Sequence, residues 1–239
     1  MTTRFLYHAE AYGASGRLTL PHQEIMDVQA SVSLPLTGGH GRTRVESFRH
    51  RSFFSFRSAE SQVVGSHSTK DKAHGTLATC TVEGLNIMDV VTCERIVARM
   101  TSKHSDDGSE PSIIPLGSRF ENLHIAGHHF APDLAVDDLC EHDTWSKLGE
   151  ANVPIQRHAS KDMAACTLVR NLNKLPGGLK PNGLGIHVPH FGTVYLAELF
   201  ITPDARRLLM IRVELGCSVE GHYTAGGSGG NGSFPPPTP

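Results

Sequence analysis

What this sequence does without narrows its function before anything in it is read. No apolar run approaches the roughly 20 residues that a membrane-crossing helix requires, so no membrane span is expected. The opening stretch Met1-Thr2-Thr3-Arg4-Phe5-Leu6-Tyr7-His8 lacks the apolar h-region of a secretory signal, and the expected location is the cytoplasm. An excess of one charge is lacking too. Twenty-two Lys and Arg stand against 24 Asp and Glu, a formal charge of -2, which leaves no summed field to hold phosphate backbones or anionic lipid. Nucleic acid is therefore not an expected partner. The patterns G-x-S-x-G, H-E-x-x-H, G-x-x-x-x-G-K-[ST] and a strand-linked G-x-G-x-x-G are all missing, which removes the commonest hydrolase, zincin and nucleotide-binding readings.

Cysteine is sparse. Cys80, Cys93, Cys140, Cys166 and Cys217 are odd in number, widely spaced and without a C-x-x-C, against a zinc knuckle or a thioredoxin-like site. A hairpin turning near Asn86-Ile87 would set Cys80 opposite Cys93, yet a reducing compartment is expected to keep both as thiols.

What the chain does have is strand signal. With 239 residues and 38% hydrophobic side chains it can bury one sizeable core. Gly and Pro punctuate short segments filled by β-branched and aromatic residues. The expected strands are Phe5–Ala11, Asp27–Leu34, Val45–Ser55, Gln62–Ser66, Thr76–Val82, Val90–Met100, Arg119–Ile125, Gly185–Val188, Thr193–Ile201, Arg207–Leu215 and Val219–Tyr223. The clearest hairpin joins Thr193–Ile201 to Arg206–Leu215 through Thr202-Pro203-Asp204-Ala205. Strict alternation puts Leu209, Ile211, Val213 and Leu215 on one face of its second strand, with Leu208, Met210, Arg212 and Glu214 on the other.

Helices are expected at Asp137–Leu148, acidic at its start and with Lys147 near its end, and at Ser160–Leu172. Leu175–Gly183, rich in Gly and Pro, reads as a long loop. Residues 225–239, from Ala225-Gly226-Gly227 to Phe234-Pro235-Pro236-Pro237-Thr238-Pro239, have little to bury and read as a flexible Gly/Ser/Pro tail. The expected fold is mainly β, an antiparallel sandwich or barrel over residues 1–224, with a short helical insert at about 137–172.

The run Gly117-Ser118-Arg119-Phe120-Glu121-Asn122-Leu123-His124-Ile125-Ala126-Gly127, together with Gly185-Ile186-His187-Val188-Pro189-His190-Phe191-Gly192-Thr193-Val194-Tyr195-Leu196-Ala197-Glu198, resembles the bacterial choice-of-anchor P family. The likeness also takes in Thr76–Met100 and touches about half the chain. It implies a strand-rich protein, usually exported and surface-attached, and supplies no catalytic residue. The chain departs from that family in lacking an export signal and a cell-wall anchor and in carrying the helical insert.

The one compositional anomaly is histidine, present 15 times. Most occurrences, such as His8, His22, His40, His50, His67, His74, His104 and His222, stand as singletons and read as satisfied or solvated side chains. Leu123-His124-Ile125-Ala126-Gly127-His128-His129-Phe130 differs, because an Ala-Gly turn places His124 opposite His129 on one sheet face. Two imidazoles so placed are half of a site for Zn or another divalent metal. A third ligand could come from His187, His190, Asp133 or Glu141-His142-Asp143. His187-Val188-Pro189-His190 has near H-x-x-H spacing, but its Pro denies it a helix. The basic and aromatic run from Arg42 to Arg57 reads as a strand with a basic outer face, which discourages edge-to-edge pairing.

Three classes of function fit. The first is a non-enzymatic β-rich protein making protein–protein or self-assembly contacts, as a homo-oligomer. The second is a cofactor-independent enzyme of lyase, cyclase or isomerase type, or a small-molecule-binding barrel with the Leu175–Gly183 loop over its pocket. The third is histidine-based metal binding centred on His124 and His129.

Overall fold

A computed structural model describes residues 5–150, 156–157, 163–216 and 218–233. In chain order the first strands are β1 (Leu6–Leu20), β2 (Glu24–Gln29), β3 (Val32–Ser33), β4 (Gly39–His50), β5 (Phe54–Ser68), β6 (Ala73–Ile87), β7 (Val91–Ser105), β8 (Ser112–Ile114), β9 (Arg119–Ile125) and β10 (His128–His129). Two short helices follow, α1 (Val136–Glu141) and α2 (Trp145–Glu150). Then come β11 (Gln156–Arg157), β12 (Ala164–Thr167), β13 (Lys180–Asn182), β14 (Gly185–Val188), β15 (Gly192–Ile201), β16 (Ala205–Gly216) and β17 (Glu220–Ser233).

These strands make two antiparallel sheets. The larger runs β11-β12-β15-β16-β17-β1-β2, with β14 also on β15, β13 on β14 and β3 on β1. The smaller runs β10-β9-β7-β6-β5-β4, with β8 on β7. Among the described residues neither order returns to its start, so of the two expected architectures the sandwich is the one formed. Small residues let the sheets close on each other: Ala11, Ala14, Ala59 and Ala78 are fully buried, and a Cβ added to Gly13 would come within 2.6 Å of the Ala59 Cβ. Larger side chains, among them Ile96, Met100, Met210 and Ile211, fill the remainder.

The inward-facing register reverses once along each long strand. On β6 the buried positions are Thr76, Ala78, Cys80 and Val82, then Leu85 and Ile87; on β5 they are Val63, Ser61 and Ala59, then Phe56 and Phe54. Left-handed backbone at Ser47, Gly84 and Asn122, on alternate strands, marks the row where this happens. Gly226 and Ala197 mark the equivalent row of the larger sheet. This corrects the alternation expected on β16. Leu208 and Met210 join the core with Ile211, Val213 and Leu215, whereas Leu209 leaves it.

Other expectations change as well. The expected strand Val45–Ser55 is the tip of a hairpin, with β4 ending at His50 and β5 starting at Phe54. The β6–β7 turn falls at residues 88–90, where the Asn86 Nδ2–H donates to Asp89 Oδ1 at 2.6 Å and the Asp89 N–H donates back to Asn86 Oδ1 at 2.8 Å. That shift sets Cys80 opposite Ala98 and Cys93 opposite Leu85, so the two thiols do not face each other. Cys80, Cys93, Cys140 and Cys166 are free thiols, while Cys217 lies outside the described residues.

The helix expected at Asp137–Leu148 is broken into α1 and α2. Buried Arg206 donates from Nη2 to the Asp143 carbonyl at 2.7 Å within the break. Where a helix was expected over Ser160–Leu172, residues 164–167 form β12 against β15, and Leu168 donates from its backbone to the Ala197 carbonyl. Its near-continuous apolar run suits a buried strand as well as a helix. The Leu175–Gly183 loop contains a 3-10 turn at Pro176–Gly178 and the short strand β13.

The largest correction is at the C-terminus. Residues 225–233, expected as tail, belong to β17, paired to β1 on one side and to β16 on the other. Residues 234–239 lie outside the described residues. A glycine strand lacks side chains to bury, so its neighbours supply them: the Tyr12 ring lies 2.3 Å from where a Gly227 Cβ would be, and Phe5 lies 2.2 Å from that of Gly232. Aromatic cover of this kind offsets the entropy that glycine loses in a strand.

Candidate metal centre

Three histidines stand side by side at one end of the sandwich. His67 on β5 is the cross-strand partner of His74 on β6, and His74 is the partner of His104 on β7. Since directly opposed residues share a sheet face, all three lie on the inward face, as do Ala78 and Met100 farther along β6 and β7. Asp106 follows β7, and its backbone N–H donates to the Lys72 carbonyl at 2.9 Å, which ties it to the β5–β6 turn.

The side chains converge. His67 Nε2 lies 3.2 Å and His74 Nε2 lies 3.6 Å from the same carboxylate oxygen, Asp106 Oδ1. One ligand atom from each of His67, His74 and Asp106 falls within 4.8 Å of the others, the one such group of His, Cys, Asp or Glu among the described residues. Bonds of 2.0–2.1 Å in a tetrahedral site put ligand atoms about 3.3 Å apart, so the two carboxylate edges already have close to the required length.

Groups behind His74 fix its ring. The Tyr7 hydroxyl is 2.7 Å from His74 Nδ1, which leaves Nε2 as the nitrogen turned toward the carboxylate. Phe5 stacks on the His74 ring at 4.2 Å between centroids. Burial, and then the neighbouring His67, hold the His74 pKa below its ordinary value against the pull of Asp106. The neutral imidazole is the form that binds metal. Burial also raises the Tyr7 hydroxyl, helped by the Asp106 charge. His104 is 6% exposed, and burial followed by His74 pushes its pKa down to about 4. No hydrogen-bond partner for its Nε2 occurs among the described residues.

The four histidines singled out in the sequence fare differently. His124 and His129 are cross-strand partners, with ring centroids 5.3 Å apart. None of the suggested third ligands joins them among the described residues. Asp133 instead meets Arg170 at 3.5 Å, His142 Nδ1 meets the Asp138 carbonyl, and Asp143 pairs with Lys147 at 2.7 Å. His187 is exposed on β14 opposite Thr193, and His190 is exposed in the turn after it. The basic run from Arg42 to Arg57 is largely neutralised in place, with Arg42 and Arg44 on Glu60, Arg51 on Glu24 and Arg57 on Glu83.

The sequence expectation of His67 and His74 as singletons is corrected by their cross-strand pairing. A signal was available: they stand three residues either side of the Lys70-Asp71 step, so any hairpin centred there makes them partners.

The sequence model of the family described as Domain of unknown function (DUF8256) matches residues 5–154 and 145–202, most of the chain, which therefore belongs to that family. Neither a curated protein nor a solved structure matches it.

Proposed function

We propose that this member of the DUF8256 family is a β-sandwich that binds a divalent transition-metal ion of the Zn type through His67, His74 and Asp106. The observation that carries the reading is the convergence of these three side chains with His74 Nδ1 already engaged by Tyr7. Two imidazole nitrogens and a carboxylate suit Zn and its first-row neighbours rather than Mg or Ca, which prefer all-oxygen sites. Three protein ligands leave a position for water or a bound group, so the same centre could hold a reactant.

The test is calorimetric titration of chelator-treated protein with ZnCl2, with the bound ion counted by mass spectrometry. One ion per chain is expected, abolished by His74→Ala and by Asp106→Asn. Tyr7→Phe removes only the orienting hydroxyl, and a loss of about 10–100-fold in affinity is expected of such a partner. Stoichiometric binding that survives Asp106→Asn would sink the proposal, and so would no saturable binding at all.

A second reading, self-association, rests on the side of the sandwich where β2 and β4 both end their sheets. Ile25 and Val28 on β2 are 72% and 52% exposed, and an unpaired edge with apolar side chains invites strand addition. Surface attachment of the choice-of-anchor P kind would go with this reading. Sedimentation of wild type beside Ile25→Lys tests it, since a monomer in both overturns it.

A further inference from the structure

A cavity of about 730 Å³ lies away from the three histidines, on the outer face of the larger sheet. It exists because of glycine. Phe200, Arg207, Gly229 and Glu10 are successive cross-strand partners on β15, β16, β17 and β1, and the third of them has no side chain. Ser228 and Gly230 face inward, Ser228 buried at 1% exposure and Gly230 against Met100, so Gly229 forms an outward-facing floor between two rows of side chains. The reversal of the pleat supplies an apolar wall: Leu209, turned out of the core, is nevertheless only 8% exposed beside Phe200 and Met163. The volume lies in the range of small-molecule sites, about 300–1,000 Å³.

The polar end of this cavity is Arg207. Its guanidinium pairs with Glu10 across the glycine floor through Nη2, and among the described residues its other N–H groups have no protein acceptor. Both partners are half exposed, 54% and 43%, so the pair contributes little and is readily exchanged. Arginine offers a planar fork of donors that fits a carboxylate, and part of that fork is free.

We propose that this cavity binds a small amphiphilic carboxylate, its apolar body along Phe200, Leu209 and Met163 and its headgroup on Arg207 in competition with Glu10. The site is independent of the metal centre, with which it shares no residue.

Dodecanoate and dodecanol are the probes, titrated calorimetrically into the full chain. Saturable 1:1 binding of dodecanoate is expected, with the alcohol at least tenfold weaker. Arg207→Gln should weaken dodecanoate about tenfold and leave dodecanol unchanged, whereas Glu10→Gln, by removing the competing carboxylate, should tighten dodecanoate alone. Gly229→Val should block both. The added Cβ itself would meet nothing closer than Glu10 Cγ at 3.4 Å, and an unchanged thermal midpoint confirms that the variant folds. Failure of dodecanoate to saturate overturns the proposal, as does binding indifferent to Gly229→Val. Equal affinity for the alcohol, or weaker dodecanoate binding in Glu10→Gln, overturns the assignment of the headgroup.

Discussion

Replacement of Glu198 tests whether the outer face of the larger sheet is as closed as its geometry requires. Glu198 is 4% exposed and receives two hydrogen bonds from Arg212, Nε to Oε2 at 2.6 Å and Nη2 to Oε1 at 2.7 Å. The Arg212 guanidinium lies 3.7 Å over the Tyr195 ring and also pairs with exposed Glu214. Burial alone would lower the Arg212 pKa, yet the two carboxylates raise it. Removing Glu198 leaves a largely desolvated cation with one solvent-facing partner, and breaking a buried pair from one side costs about 3–5 kcal/mol. Because Glu214 remains, Glu198→Leu is expected near the lower limit, about 3 kcal/mol. Removing both charges leaves nothing uncompensated, so Glu198→Leu/Arg212→Met should be less destabilised than either single change. Urea unfolding at pH 7 measures all four proteins. If both single changes cost under about 1 kcal/mol, the pair behaves as a surface salt bridge and the burial argument fails. Additive losses in the double variant would refute the coupling.

Gly227→Val should destabilise by about 1–3 kcal/mol, the range for overpacking, because its Cβ would enter the Tyr12 ring; pairing it with Tyr12→Ala should recover part of the loss in the same urea assay. Thiol labelling gives an independent reading of the core. Burial pushes the thiols of Cys80 and Cys166 up to about 12 and that of Cys93 to about 11. Iodoacetamide at pH 8 should therefore leave these three unmodified in the folded protein and, of the four described cysteines, take half-buried Cys140 first, as read by peptide mass spectrometry. Modification of Cys80 without denaturant would contradict the packing of β6.

How much of this was legible in the sequence depends on what each residue type can announce. The Thr193–Ile201 hairpin was readable because β-branched and aliphatic residues flank a Pro-Asp turn, and β15 and β16 form around it. The start of β17 was readable in Val219–Tyr223, but its glycine-rich remainder from residue 225 was not, because glycine carries no side-chain pattern. Its placement is decided by Tyr12 and Phe5, some 200 residues away in sequence, and by the two strands that pair with it. Leu209 was misassigned for a related reason. Period-two alternation assumes an unbroken pleat, and the reversal is marked by left-handed Ala197 and Gly226 on the neighbouring strands rather than on β16 itself.

The candidate site shows the same division between local and non-local information. His124 and His129 could be paired from a tight turn alone, and the pairing is present, but among the described residues no third donor joins these two rings on a short hairpin. His67 and His74 also flank a turn, but its Lys70-Asp71 centre carries no Gly or Asn-Gly signal, so their symmetric spacing about it was the single local cue. The remaining members come from two separate places in the chain: Asp106 from the far end of β7, and Tyr7 from the other sheet. A metal-ligating imidazole almost always has its other nitrogen fixed by a second group, and for His74 a group in that position, Tyr7, is supplied by the packing of one sheet on the other. The histidine excess could therefore suggest metal chemistry, while the choice among 15 histidines required the sandwich to be closed first.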